Sequence, residues 1–161
     1  MTIARGIALL GVVAGLMISP KSAHATPAPA PSCDLVSPGF SVTYDATSDI
    51  GKSSIGTMSV DCTTSNPLTI QVDLSQGRSG NFSDRTMLQV GGTNVLHYNV
   101  LFGTTGTPFG DGSAGTQHVQ VAASPTNGEI YIAQSLRLVI GPHQFAVPAQ
   151  YADSLVVTVQ F

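Results

Sequence analysis

The sequence predicts a β-sandwich of short antiparallel strands. After residue 33, apolar and polar residues alternate with a period of two through most of the chain, which is the pattern of strands with one buried and one exposed face. Stretches rich in Gly, Ser, Asn and Asp separate these runs, as turns do. Lys and Glu, the usual residues of exposed helices, occur after residue 25 only as Lys52 and Glu129. About seven strands and no convincing helix favour a two-sheet sandwich.

The first 25 residues are predicted to be a secretory signal peptide. Arg5 gives a short positive region, and Gly6–Ile18 is an uncharged apolar run. Ala23-His24-Ala25 matches the small-residue cleavage signature, so Thr26 is expected to begin the exported protein. The alternative is a membrane anchor, but the run is shorter than the roughly 18 residues that span a bilayer. No later segment is long and apolar enough to span, so no integral membrane segment is expected after cleavage.

The exported part, residues 26–161, has the size of one domain and an acidic balance. The whole chain has 6 Lys and Arg residues against 9 Asp and Glu residues, and Arg5 and Lys21 leave with the signal peptide. The exported protein is therefore more acidic than the full chain, whose net charge is −3. Nucleic acid and anionic membranes require a basic surface, so neither is expected as a partner.

Two cysteines, Cys33 and Cys62, are predicted to form a disulfide. Export leads to an oxidising compartment, where such a pair is normally bridged. The alternative is a free or metal-bound pair, but the spacing is far from the C-x-x-C pattern. Closing a loop of about 30 residues stabilises a fold by roughly 3–4 kcal/mol in the chain-entropy model.

A proline-alternating leader, Thr26–Ser32 (TPAPAPS), precedes Cys33 and is expected to be extended and poorly paired. Strands are predicted after it wherever apolar and polar residues alternate. The apolar faces of the first three are Phe40, Val42 and Tyr44; Met58, Val60 and Cys62; and Leu68, Ile70, Val72 and Leu74. Those of the next three are Leu96, Tyr98, Val100 and Phe102; Val119 and Val121; and Leu136, Leu138 and Ile140. Turns are expected in Ser75–Asp84, Gly103–Gly115 and Ser124–Gly128.

The last predicted strand ends on the final residue of the sequence. Its apolar face consists of Leu155, Val157, Val159 and Phe161. Two positions in the sheet are open to this strand. Either it lies between earlier strands, or it forms an edge that a partner strand covers, since an uncovered apolar edge promotes aggregation.

No catalytic or metal-binding constellation is apparent, so neither an enzyme nor a cofactor is expected. His97, His118 and His143 are scattered, which favours exposed or hydrogen-bonded histidines over metal ligands. Phe109-Gly110-Asp111-Gly112 offers one carboxylate, whereas calcium needs six or more oxygens; a tight turn anchored by a buried Phe109 is favoured. An extracellular hydrolase stays a minor hypothesis, because a Ser/His/Asp site can assemble from distant residues.

Several short motifs follow one another in a recognisable order. An early cysteine precedes Tyr44-Asp45 and a strand of small residues that ends at Cys62; Arg85-Thr86-Met87, Leu96-His97-Tyr98 and the Phe109–Gly112 turn come next. Gln144 and then Tyr151-Ala152-Asp153-Ser154, which leads into the last strand, are the most specific part. In this order, from Cys33 to Phe161, the chain resembles the spore coat protein U domain family, the subunit family of archaic, Csu-like chaperone–usher pili.

The resemblance implies that residues 33–161 form an incomplete immunoglobulin-like sandwich that lacks its last strand. It also implies the partners of such a subunit, namely a periplasmic chaperone, an outer-membrane usher and neighbouring pilus or coat subunits. In that scheme Leu155–Phe161 is the strand-accepting edge, and Cys33–Cys62 ties the first strand to the second. The protein is then expected to pass through the periplasm to a surface fimbrium or to be secreted.

The leader differs from what the family requires of a donor. A polymerising subunit carries bulky alternating apolar residues before its first cysteine, whereas the alanines and prolines of Thr26–Ser32 fill no deep pocket. The family's glycine before the tyrosine motif is also replaced, by Ala149-Gln150. The leading hypothesis is therefore a fimbrial or coat subunit that accepts a strand, as a tip or terminator does. The alternative is a self-contained, adhesin-like binding module outside pili, with Gly103–Gly115 or Pro142–Pro148 as its contact loops.

Overall fold

The computed structural model describes residues 28–37 and 39–161. The predicted signal peptide, residues 1–25, lies outside this part of the chain, and so do the first two residues of the leader. The described residues form an all-β protein, as predicted. Among them, no helix is long and apolar enough to cross a membrane.

The strands are β1 Ser32–Val36, β2 Lys52–Thr63, β3 Leu68–Leu74, β4 Arg85–Gln89, β5 Val95–Phe102, β6 Val119–Ala123, β7 Glu129–Ile140, β8 Tyr151–Ala152 and β9 Val157–Gln160. A 3-10 turn, Gly77–Ser79, lies between β3 and β4. The larger sheet has the order β1-β2-β7-β5-β4-β8, and the smaller has the order β6-β3-β9. All of these pairings are antiparallel, as alternating sequences favour.

The apolar faces predicted from alternation meet between the two sheets. Ile70 and Val72 of β3 are completely buried, and so is Val100 of β5. The remaining core residues come mainly from the long strands β2 and β7; they include Met58, Val60, Cys62, Ile130, Leu136, Leu138 and Ile140. The polar residues between them face outward, because successive side chains of a strand point to opposite sides.

The predicted disulfide is confirmed, and it pins an edge strand. Cys33 and Cys62 are direct partners in the β1–β2 ladder, with Cα atoms 4.0 Å apart. β1 has β2 as its one neighbour, and four of its five residues are exposed. Since β1 buries little apolar surface, the disulfide and the hydrogen bonds to β2 are its main attachments.

The strand predicted on Phe40, Val42 and Tyr44 is not formed, and this prediction is wrong. Side-chain exposure alternates along residues 39–45, but the segment pairs with no other strand in the described chain. Alternation indicates which side chains face inward, whereas a strand also needs a neighbouring backbone for its hydrogen bonds.

Alternation did not predict β1, β4 or β8; a strand at Cys33 was expected only from the family resemblance. The last strand begins later than predicted, at Val157. β8 has two residues and pairs with β4 at the end of the larger sheet. A period of two cannot be recognised in so short a strand. β2 and β7 extend well beyond the predicted runs, because the extension of each strand pairs with the predicted run of the other.

A candidate strand-binding groove

A long groove opens into the core between two segments of the chain. One side, called the first wall, is formed by residues 39–47; the other, called the second wall, is formed by residues 146–157. The cavity between the walls has a volume of about 1060 Å³. Its floor consists of core side chains from both sheets: Leu74, Met87, Leu96, Tyr98, Val100, Leu138 and Ile140.

The first wall turns three large side chains inward. Phe40, Val42 and Tyr44 are half-buried, while Ser41 and Thr43 between them are exposed. Residues 39–44 make no backbone-to-backbone hydrogen bond to any other described residue. The first wall therefore has the side-chain pattern of a strand and a row of backbone donors and acceptors without strand partners.

The second wall passes from the edge of one sheet to the edge of the other. β8 pairs with β4, and β9 pairs with β3. Between them the amide of Ser75 donates to the carbonyl of Val156 at 2.9 Å, and the amide of Val156 donates to the Ser75 hydroxyl at 2.9 Å. Within the described residues, β8 and β9 each have one neighbour and one open side.

The four residues predicted for the strand-accepting edge lie on or beside β9. Leu155 and Val157 are half-buried and line the groove. Val159 is half-buried and pairs with Val72 of β3. Phe161 lies beyond the strand and is 52% exposed. Of the two positions open to this strand, the structure has the edge.

Gln144 joins the first wall to β5. Its backbone amide donates to the Tyr44 hydroxyl at 2.9 Å. Its side chain bonds both backbone groups of His97, donating from Nε2 to the carbonyl at 2.8 Å and accepting at Oε1 from the amide at 2.6 Å. Because β7 ends at Ile140, the Gln144 amide group takes the place of the next ladder partner of β5.

Tyr98 and Asp153 form a polar pair in this largely apolar groove. The Tyr98 hydroxyl donates to Asp153 Oδ2 at 2.6 Å, and the Arg78 amide donates weakly to Oδ1 at 3.4 Å. Burial, and after it the hydrogen bond to Asp153, raises the pKa of Tyr98 far above its usual value, so the phenol stays protonated. Gly77 has φ +67, and a side chain there would collide with the Asp153 carboxylate.

Arg85 is fully buried beneath the second wall and has no carboxylate partner in the described chain. Nε and Nη2 donate to the Ser75 carbonyl at 3.2 and 2.8 Å, and Nη2 also donates to the Phe109 carbonyl at 2.7 Å. Nη1 donates to Asn99 Oδ1 at 2.6 Å, and the guanidinium lies 5.4 Å from the centre of the Phe82 ring. Burial lowers the pKa of Arg85, but an arginine remains charged in proteins. The guanidinium thus holds Ser75, which in turn holds Val156.

The Phe109–Gly112 motif forms a turn outside the groove. Phe109 is 0% exposed, and its ring centre lies 5.6 Å from that of Phe102. Asp111 accepts hydrogen bonds from the hydroxyl and the amide of Ser113, at 2.6 and 2.9 Å, which lower the pKa of its carboxyl. Gly110 packs so closely on Thr116 that a Cβ would clash.

Each described histidine has an aspartate within reach. His97 Nδ1 lies 2.7 Å from Asp84, His118 Nδ1 lies 3.0 Å from Asp73, and His143 Nε2 lies 3.3 Å from Asp49. The three pairs are separate from one another. In the described part of the chain, no group of three His, Cys, Asp or Glu residues could hold a metal ion.

Two features of the groove had not been predicted. Residues 146–150 (AVPAQ) line it without forming a strand; apolar and polar residues do not alternate there, so a groove lining was not predicted. Asn99 receives Arg85 and donates to the Phe82 carbonyl at 2.8 Å. Its polarity gave no signal in the sequence, because it alternates with the apolar face of β5 just as His97 does.

Comparison with known proteins agrees with this architecture. The sequence model of the Spore Coat Protein U domain family matches residues 20–158. Among 14 matching chains of solved structures is one from the CsuC-CsuE chaperone-tip adhesion subunit pre-assembly complex of the archaic chaperone-usher Csu pili of Acinetobacter baumannii. It is 17% identical with a TM-score of 0.57, and the match covers 81% of this chain and 40% of that one. The present chain thus spans less than half of that chain's length, and the likeness is one of fold. No curated protein matches the sequence.

Proposed function

The chain belongs to the Spore Coat Protein U domain family, and from this we propose that it is a structural subunit of a chaperone–usher type fimbria or surface coat. The groove is the observation that carries the proposal. In our proposal it accepts a strand that a partner donates. The role is one of assembly, and no catalysis is involved.

A strand laid in the groove would gain two kinds of interaction. Its backbone would pair with the first wall, whose residues 39–44 lack backbone partners in the described chain, and with the open side of the second wall. Its alternate side chains would point to the apolar floor, since the side-chain period of a strand is two. Each fully buried aliphatic side chain would contribute about 1.5–3 kcal/mol.

Before assembly, the exposed groove has to be covered by another molecule. An open apolar groove with strand edges on its sides invites association with other chains. We therefore propose that a periplasmic chaperone occupies the groove first. An outer-membrane usher would then deliver the subunit to its neighbours, and the protein would end at the cell surface or be secreted.

We further propose that the protein accepts a strand without donating one. After cleavage at Ala25, the segment before Cys33 is the leader Thr26–Ser32, which has no side chain larger than proline. Such a segment cannot fill the pockets of a neighbouring groove, and its prolines lack backbone donors. This suits a position at the tip or the end of a fibre. Sequencing the N-terminus of the exported protein tests it, since an earlier cleavage site would add apolar residues to the leader.

Strand acceptance is tested with a synthetic peptide of about nine alternating valine and threonine residues with lysines at both ends, long enough to span the first wall. The peptide should raise the melting temperature of the exported protein. Val157→Thr, which places a hydroxyl in the groove, should weaken peptide binding about fivefold to tenfold. Val156→Thr is the matched control, because Val156 is 64% exposed and points away from the groove; it should leave the affinity unchanged.

Strand acceptance would be contradicted if the parent and both variants were stable monomers whose melting temperature the peptide does not change. That result would favour a self-contained binding module. Chaperone dependence needs a separate measurement. A pull-down from the periplasm of the source organism should recover a chaperone in equal amount with the protein. Recovery of the protein alone, soluble and folded, would count against this part of the proposal.

A further inference from the structure

The outer face of the larger sheet carries opposite charges at its two ends. This outer face consists of the side chains of β1, β2 and β7 that point away from the core. On β2 they are Ser53, Ile55, Thr57, Ser59, Asp61 and Thr63, and opposite them on β7 are Val139, Arg137, Ser135, Ala133, Tyr131 and Glu129. On β1 they are Val36, Asp34 and Ser32, opposite Ser59, Asp61 and Thr63.

The acidic end places two carboxylates side by side. Asp34 and Asp61 are direct partners across the β1–β2 ladder, and like charges in this position repel each other. No cation forms an ion pair with either of them within the described residues. Tyr131 follows Asp61 on β7 and is 67% exposed, an unusual exposure for a large aromatic side chain in the middle of a sheet.

The basic end holds one arginine. Arg137 lies between Ile55 of β2 and Leu101 of β5, and Ile55 is 73% exposed. In the described chain, Arg137 has no carboxylate within ion-pair distance, and its Nε is buried without a hydrogen-bond partner. A buried donor without a partner destabilises the fold. Both ends of the outer face therefore hold charged groups that the fold itself leaves uncompensated.

The centre of the outer face is made of small residues. Thr57 and Ser59 on β2 lie opposite Ser135 and Ala133 on β7. Small side chains allow two sheets to approach closely, at the spacing of about 10 Å that packed sheets adopt. The acidic row and the basic row lie six residues apart on β2, or about 20 Å, on either side of this centre.

We propose that the outer face binds a second copy of this chain, face to face, around a two-fold axis that crosses the strands at the Met58–Gln134 row. Such an axis exchanges the two ends. It sets Arg137 over Tyr131 of the second copy and one strand away from the second copy's Asp61. Because a two-fold interface repeats each contact, Arg137 of the second copy likewise lies over Tyr131 of the first. Ile55 is covered at the same time, and the small residues of the centre meet each other.

Charge complementarity within one face is what selects a second copy as the occupant. A different partner would need its own basic and acidic groups at a matching distance of about 20 Å, whereas a second copy has them by symmetry. The arginine also gains a cation–π contact with an exposed aromatic ring. The groove opens on another side of the molecule, between the first and second walls, so this association is independent of strand acceptance.

The outer face is small, so the association is weak. Two strands of 12 residues and one of five give a face of about 40 by 15 Å, or about 600 Å² for each copy, below the roughly 800 Å² of a standard interface. A dimer that forms at high local concentration, such as between subunits crowded on a surface, fits this size.

Sedimentation of the purified exported protein over a range of concentrations tests the proposal. The parent should show a reversible monomer–dimer equilibrium that weakens when salt is raised from about 0.05 to 0.5 M, because it depends on charges. Arg137→Glu and Asp61→Lys should each raise the dissociation constant about tenfold or more. Association through the apolar groove would instead be indifferent to both substitutions and would not weaken with salt.

The double variant Arg137→Glu, Asp61→Lys provides the decisive comparison. It exchanges the two charges, so the dimer should return to within about threefold of the parent affinity. Asp49→Lys is the control of equal charge change, since the Asp49 side chain is 89% exposed and Asp49 belongs to none of the strands β1, β2 and β7; it should leave the equilibrium unchanged. The circular dichroism of each variant verifies its fold. A parent that stays monomeric, or a double variant as weak as the single ones, would overturn the proposal.

Discussion

At the scale of single residues, the polar side chains inside the sandwich do more to shape the groove than its apolar floor does. Arg85 binds the Ser75 carbonyl, and Ser75 holds Val156 with its amide and its hydroxyl. Tyr98 holds Asp153 three residues earlier in the same wall. The second wall is therefore fixed by buried polar contacts, where a missing partner is costly.

Replacing Arg85 by lysine should destabilise the protein strongly although the charge is kept. The guanidinium donates hydrogen bonds to the Ser75 and Phe109 carbonyls and to the Asn99 side chain at the same time. The ammonium group of a lysine lacks the planar arrangement of donors that makes this possible. At least one carbonyl then stays buried without a donor, so the free energy of unfolding in urea should fall by about 2–4 kcal/mol. Arg78→Lys, at an exposed position, should change it by less than about 0.5 kcal/mol. Equal effects of the two substitutions would contradict this role.

The pKa of Tyr98 predicts a loss of stability in alkali. Burial and the Asp153 hydrogen bond raise that pKa in the folded state, whereas an unfolded tyrosine titrates near about 10. Above this pH the unfolded chain releases a proton that the folded protein keeps, so stability falls by up to about 1.4 kcal/mol for each pH unit. Below pH 10 the stabilisation is fully present.

The comparison of Tyr98→Phe with Tyr131→Phe isolates this effect. Between about pH 10 and 11, the unfolding free energy of Tyr98→Phe should fall less steeply with pH than that of the parent. The difference in slope should be that of one titrating group, up to about 1.4 kcal/mol for each pH unit. Tyr131→Phe, at a ring that is 67% exposed, should keep the slope of the parent. A slope that survives in Tyr98→Phe would show that other groups cause it.

At the scale of elements, the sequence predicted a strand best where two conditions hold. Apolar and polar residues alternate, and the chain itself supplies neighbouring strands for the backbone hydrogen bonds. β3 and β5 alternate clearly and lie between two neighbours, and their predicted faces match the buried residues. The segment 39–45 alternates just as clearly, yet it forms no strand because its backbone has no partner in the described chain. Side-chain periodicity is local, but strand pairing depends on the whole sheet, so the sequence could predict the inward residues of the first wall and not its lack of pairing.

In the candidate site too, local patterns in the sequence do not reveal which residues make contact. The resemblance to a known family singled out Tyr44, Gln144, Tyr98 and Asp153, and the structure brings them together in two hydrogen-bonded pairs. Their contacts join residues far apart in the chain, 100 residues apart for Tyr44 and Gln144. No spacing rule links such distant positions, so their roles could not be derived from the residues themselves.

The disulfide should protect β1 selectively. β1 buries few side chains and has β2 as its one neighbour, so replacing Cys33 and Cys62 by alanine removes its covalent attachment. The free energy of unfolding should fall by about 2–5 kcal/mol. Hydrogen exchange should accelerate most at the amides of β1, while those of the central strand β3 keep protection relative to the new global stability. Uniform acceleration across both strands would contradict a selective role for the disulfide.

At the scale of the whole molecule, the two sheets of the sandwich both end at the groove. The six-stranded sheet ends at β8 and the three-stranded sheet ends at β9, and both ends meet at the groove. The first wall lies across the groove without pairing to either sheet. A strand that paired with β8, β9 and the first wall would cover the apolar floor. If the proposed function is right, the isolated protein should therefore be less stable than the protein with a bound strand.

Supplying that strand within the chain should therefore stabilise it. We expect that an alternating valine–threonine strand of about nine residues, joined to Phe161 by a Gly/Ser turn of about four residues, folds back along the open side of β9. Burial of several valines against the floor, reduced by the cost of ordering the strand, should raise the free energy of unfolding by about 3 kcal/mol and the melting temperature by roughly 10 °C. Lengthening the turn by one residue is the matched control, because a shift of one residue sends the valines to solvent and the threonines to the floor. If the two versions melt at the same temperature, the added strand does not lie in the groove with its valines on the apolar floor.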